Sequence, residues 1–172
     1  MAAKPLALLL SACLLSGCGY HVAGTVNTLP KNVKTIAIPA FSNTTTRYKL
    51  GDQMAAALTR EFIARTRYRI VADPNEADAV LSGSVINFFA YPTIFDPATS
   101  RAAGVQAIVM LQLTLRDRAT KAVLFSRPHM EFRQNYEIST DAATYFDESS
   151  LAMERLSRDL ARSVVSAVLE NF

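Results

Sequence analysis

The chain has 172 residues, half of them hydrophobic, with 18 basic and 15 acidic side chains and a formal charge of +3. That length is enough for one ordinary hydrophobic core. The charge is mild and scattered, with no basic run long enough to form a nucleic-acid patch.

The first element is apolar. Lys4 follows Met1 as a single positive charge, and Pro5–Leu15 reads PLALLLSACLL. A basic start, a short apolar middle and small residues at the end make a secretory signal. The run is too short to span a bilayer, which takes about 20 residues, and no later segment approaches that length without charges. It ends in Leu15-Ser16-Gly17-Cys18, which resembles the bacterial lipobox. The resemblance implies cleavage between Gly17 and Cys18, a diacylglyceryl thioether on the Cys18 sulfur, and acylation of the new amine. The thiol is the nucleophile that takes the lipid, and the small residues let the strand fit a peptidase in the membrane. Several acyl chains anchor stably where one anchors marginally. Residues 1–17 are therefore expected to be a signal peptide that carries Cys13 away. Cleavage would leave 155 of the 172 residues, and loss of Lys4 would lower the formal charge from +3 to +2. With Cys18 lipidated, no cysteine remains for a disulfide, so stability must rest on the core.

Residues 18–32 read as a lipidated tether broken by Gly19, Gly24, Asn27, Pro30 and Asn32. Residues 33–172 read as one domain. Val33–Phe41 (VKTIAIPAF) is nearly continuously apolar, as in a central strand. From Lys49 the period becomes helical, with Leu50, Met54, Ala57, Leu58 and Phe62 on one face, ending near Thr66. Arg67–Val71 is a short strand. Ala79–Tyr91 alternates, with Val80, Ser82, Ser84, Ile86 and Phe88 expected on one face. Residues 92–104 read as a polar loop with two prolines. In the strand that follows, Val105, Ala107, Val109, Leu111, Leu113 and Leu115 point one way, and Gln106, Ile108, Met110, Gln112, Thr114 and Arg116 the other. Ala122–Ser139 turns Met130, Phe132, Tyr136 and Ile138 inward and His129, Glu131, Arg133 and Glu137 outward. Pro128 marks an edge or a bulge. A last helix is expected from about Asp147 to Asn171, with the stripe Met153, Leu156, Leu160, Val164 and Val168. The expected fold is α+β: a single-layer mixed or antiparallel sheet of about four main strands, with two helices on one face. The other face is only half apolar, so it is either wet or covered by another protein.

Chemistry is sparse. His21 and His129 are the only histidines, and neither has a ligand cluster, so no metal site is expected. Ser82-Gly83-Ser84 lies mid-strand without a base, and Gly83 reads better as a site of close packing. The few glycines never cluster before a helix as a phosphate loop would. No carboxylate sits in an apolar pattern that would raise its pKa. Neither an enzyme nor a cofactor is expected.

The stretches CGYHVAG (Cys18–Gly24), LPKNVKTIAIPAFSNTT (Leu29–Thr45) and ADAVLSGSVINF (Ala77–Phe88) resemble the LptE family of outer-membrane lipoproteins of lipopolysaccharide assembly. A start of Cys-Gly-(Tyr/Trp)-His is typical there, and Cys18-Gly19-Tyr20-His21 matches it throughout. The match loosens through the first strand and helix and is architectural after Tyr91. The resemblance implies a non-enzymatic protein held by its N-terminal lipid on the periplasmic side of the outer membrane. It implies a plug in the lumen of an LptD-like β-barrel that helps assemble the barrel and pass lipopolysaccharide to the outer leaflet. It also implies a basic ligand contact before the long strand, for which Arg101 is the nearest match. A second basic contact of the family, between the last strand and helix, has no counterpart, because Ser139–Ser150 is acidic. Two rival classes are a lipid-anchored subunit of another envelope complex, for secretion or peptidoglycan, and an envelope hydrolase, for which no Ser, Cys and His arrangement is visible.

Overall fold

A computed structural model describes residues 29–139 and 148–170. In chain order the elements are β1 (Thr35–Ala37), β2 (Ser42–Asn43), α1 (Leu50–Arg65), β3 (Arg69–Val71), a 3-10 turn (Pro74–Glu76), β4 (Ala79–Phe95), β5 (Ala102–Asp117), β6 (Val123–Glu137) and α2 (Ser149–Glu170). They form one mixed sheet ordered β3-β1-β4-β5-β6, with β2 also paired to β4. The short strands pair in parallel and the three long ones antiparallel.

The α+β class and the two helices on one face stand, but the sheet has six strands rather than about four. The expected first strand is really two. Pro39 has no N–H to give to a ladder, and pairing stops after Ala37. It resumes on the same edge of β4 at Ser42↔Ser84, after Ala37↔Val80. Five steps along the first chain thus match four along β4, and the chain between bulges out.

The predicted apolar stripes are buried. Leu50, Met54, Ala57, Leu58 and Phe62 of α1 and Met153, Leu156, Leu160, Val164 and Val168 of α2 join the inward side chains of β5 in one core. Small residues (Ala55, Ala57, Ala152, Ser157 and Ala161) are also buried, which lets the two helices pack side by side. Ser157 satisfies its hydroxyl by donating to the Met153 carbonyl at 2.8 Å. The end of the expected tether lies against this unit: Leu29 and Val33 are buried, and Asn32 Nδ2 donates to Asp117 Oδ2 at 3.4 Å.

β4 departs from strict alternation. Val85 pairs with Leu111 and Asn87 with Met110, which leaves Ile86 as an extra residue. Phe88 therefore turns to the core and packs on it, whereas the expectation placed it beside Ser84 on the opposite face. β6 has a matching bulge: Leu111 pairs with Met130 and Leu113 with Arg127. The extra residue falls at Pro128 and His129, on a strand that is also an edge. Residues expected as a polar loop after Tyr91 instead extend the β4–β5 hairpin to Phe95 and Ala102. Pro92 is tolerated because β4 has no described partner on its other side beyond Val85.

Candidate functional site

The helices cover one face of the sheet and leave the other open. Cross-strand rows on this open face follow from the register. Below the Ile94–Gly104–Glu137 level they are Tyr91–Gln106–Asn135, then Phe89–Ile108–Arg133, then Asn87–Met110–Glu131, then Ser84–Gln112, and then Ser82–Thr114–Ser126. The top row is a polar chain: the Tyr91 hydroxyl donates to Gln106 Oε1 at 2.6 Å, and Gln106 Nε2 donates to Asn135 Oδ1 at 2.9 Å. Below it, Phe89 is 48% exposed and Ile108 and Met110 are half-buried. Arg133 Nε donates to Glu131 Oε1 at 2.6 Å. That carboxylate raises the Arg133 pKa, so the guanidinium stays charged.

The hairpin runs beyond the helices and carries Ile94 and Phe95, 63% and 57% exposed. Ile94 packs over Gly104, where an added Cβ would come within 3.1 Å of its side chain. The turn beyond is held by Asp96. Its carboxylate accepts from the Ala98 and Thr99 N–H groups, and its own N–H donates to the Arg101 carbonyl at 2.9 Å. Ser100 takes a positive φ of 55°. Arg101 is exposed at the end of this turn, so the structure puts it beside the apolar tip.

Of the residues singled out in the sequence, Gly17 and Cys18, with His21, lie outside the described residues, as does most of the acidic loop. His129 is exposed on β6. Among the described residues, no group of three or more His, Cys, Asp or Glu side chains gathers as a metal site, and no helix is long and apolar enough to cross a membrane. Gly83 carries the ring of Phe41 on its face, with an added Cβ only 2.5 Å from it; close packing is its use. The exposed set Phe89, Tyr91, Ile94 and Phe95 was not singled out. Its signal was the aromatic run INFFAYPTIF (Ile86–Phe95), unusual in a strand facing water.

Such a face offers apolar contact and hydrogen bonds. The same architecture recurs in solved structures at low identity. Uncharacterized lipoprotein B from Nitrosomonas europaea is 16% identical, with a TM-score of 0.56 over 88% of this chain and 90% of its own. A protein from Xanthomonas campestris is 15% identical, with a TM-score of 0.55 over 85% and 91%. PelC from Paraburkholderia phytofirmans, crystallised as a dodecamer, is 18% identical, with a TM-score of 0.53 over 80% and 89%. These likenesses define the fold. No curated protein matches. Residues 33–168 match the LptE family, described as lipopolysaccharide-assembly, and the chain belongs to that family. It is thus a lipoprotein of lipopolysaccharide assembly.

Proposed function

We propose that residues 1–17 are a signal peptide, that Cys18 carries the lipid, and that residues 18–32 tether the domain to the periplasmic side of the outer membrane. In this reading the open sheet face and the β4–β5 hairpin seat in the lumen of an LptD-like β-barrel. There the domain plugs and helps assemble the translocon, without catalysis. Lipopolysaccharide passes to the outer leaflet beside it, and Arg101 is the first candidate to meet the ligand's phosphates through charge-assisted hydrogen bonds.

One observation carries this reading. The open face sets the hydrogen-bonded row Tyr91–Gln106–Asn135 directly above Phe89 and Ile108. It is too apolar for open water and too polar for a core, and barrel lumens offer a polar wall of the matching kind. Photo-crosslinking groups placed at Phe89, Ile108, Gln112 and residues 92–104 test it. Adducts with a large outer-membrane barrel are expected. Adducts confined to soluble periplasmic proteins would replace the plug with a lipid-anchored subunit of another envelope complex.

A further inference from the structure

At the end of the sheet opposite the hairpin tip, roughly 50 Å away along β4, a cleft opens between the start of β1 and the start of β3. It is lined by Val33, Lys34, Thr35, Arg67, Tyr68, Arg69, Glu76 and Asp78. The backbone fixes its walls: Thr35 pairs with Arg69, and the Arg69 N–H donates to the Lys34 carbonyl at 2.9 Å. Three cations thus line one cleft: Lys34 just before β1, Arg67 before β3 and Arg69 at the start of β3.

Their pairing differs from that of five arginines elsewhere in the molecule. Arg65, Arg133, Arg155, Arg158 and Arg162 each have a carboxylate within ion-pair distance. Among the described residues Lys34, Arg67 and Arg69 have none. Two acids share the lining, but Asp78 is engaged. Its Oδ2 accepts from the N–H groups of Lys34 and Thr35, both at 2.9 Å, and Arg118 acts on the same carboxylate. Glu76 is the other acid, so three cations face two carboxylates and the lining keeps one net positive charge. Three like charges held in one cleft repel each other, and an anion between them would relieve that repulsion.

The cleft also has a fixed place relative to the N-terminus. Leu29 and Val33 are buried and pin the incoming chain beside it, with Lys31 exposed between them. From Leu29 back to Cys18 the chain can reach at most about 40 Å.

We propose that this cleft is a phosphate site that takes the headgroup of an anionic phospholipid in the leaflet holding the anchor. The lipid as the source rests on the anchoring at Cys18 proposed above; the anion chemistry does not. Charge at a membrane surface adds to acyl anchoring. The site orients the domain as well as holding it, because it lies at one end of the sheet.

The test uses the full-length, isotope-labelled protein in micelles of neutral detergent. One arm dopes phosphatidylglycerol into the micelles; the other adds inorganic phosphate. Backbone amide shifts of Lys34, Tyr68 and Arg69 should saturate with phosphatidylglycerol, and phosphate alone should need at least tenfold more. Arg67→Gln/Arg69→Gln should raise the phosphatidylglycerol midpoint at least tenfold with the melting temperature unchanged. Lys34→Gln, on a different wall, should raise it independently. Equal or tighter saturation by inorganic phosphate overturns the lipid as the source. Absence of saturable shifts in both arms, or shifts that survive these substitutions, overturns the site. The shifts read the cleft whether or not barrel adducts form, so failure of one reading is distinguishable from failure of the other.

Discussion

Phe41 shows how one side chain sets the spacing between layers. Its ring lies on Gly83 of β4, and its carbonyl oxygen lies 2.5 Å from where a Cβ on Gly51 of α1 would be. Gly83→Ala should therefore force the ring aside and cost about 1–3 kcal/mol, the usual penalty for overpacking. A urea melt measures this, and an unchanged midpoint would mean that the ring has room to move. Two carboxylates act at the other end of the molecule. Hydrogen bonds from the Lys34 and Thr35 N–H groups hold Asp78 below its ordinary pKa of 3.8. The Thr120 N–H does the same for Asp117 in the β5–β6 turn. A carboxyl depressed on folding contributes stability above its unfolded pKa and loses it as pH falls through the folded value. Melting temperature should thus hold at neutral pH and drop below about pH 4. Asp78→Asn should be less stable at pH 7 and show a shallower acid loss. At the hairpin turn, Arg101→Asp should weaken lipopolysaccharide binding, and more so at low salt than at high, because screening already reduces an exposed phosphate contact. Equal loss at both ionic strengths would point to a shape contact instead.

Among the elements, those with an unbroken period were the legible ones. α1, α2 and β5 follow their spacing throughout, and each residue expected to point inward is buried. Leu111 and Leu160 are both fully buried in the same core, so either truncation to alanine should cost about 2–5 kcal/mol in a denaturant melt. A loss under half a kcal/mol for both would contradict that placement. Legibility failed where backbone geometry intervenes without a change in composition. Pro39 divides a run that looks continuous, Ile86 is a surplus residue inside a regular alternation, and Pro92 sits in a strand whose far edge has no partner there among the described residues. Half of the candidate face was therefore visible beforehand. The alternation of β5 exposed Ile108 and Met110, and that of β6 exposed Arg133 and Glu137. Phe89 and Tyr91 were hidden, since the bulge decides which of two adjacent aromatics, Phe88 or Phe89, faces outward.

For the whole molecule, the helices and the covered side of the sheet account for stability, and the open face, the hairpin and the basic cleft lie outside that core. Cys18→Ala should leave the domain folded and shift it out of the membrane fraction, as read by fractionation without detergent. Full retention in membranes would count against lipid as the anchor unless the barrel alone holds the protein. The two bulges have a further consequence. β4 and β6 each carry one spare residue at the level of Leu111, on either side of a β5 that carries none between Val105 and Leu115. Deleting Ile86 would leave Val85, Asn87 and Phe88 facing as they do now, whereas a deletion in β5 at that level would turn everything above it inside out. Length changes are thus cheap in the flanking strands and forbidden in the central one. Distant relatives aligned to this chain should place their gaps beside Val85 and Pro128, and none between Val105 and Leu115.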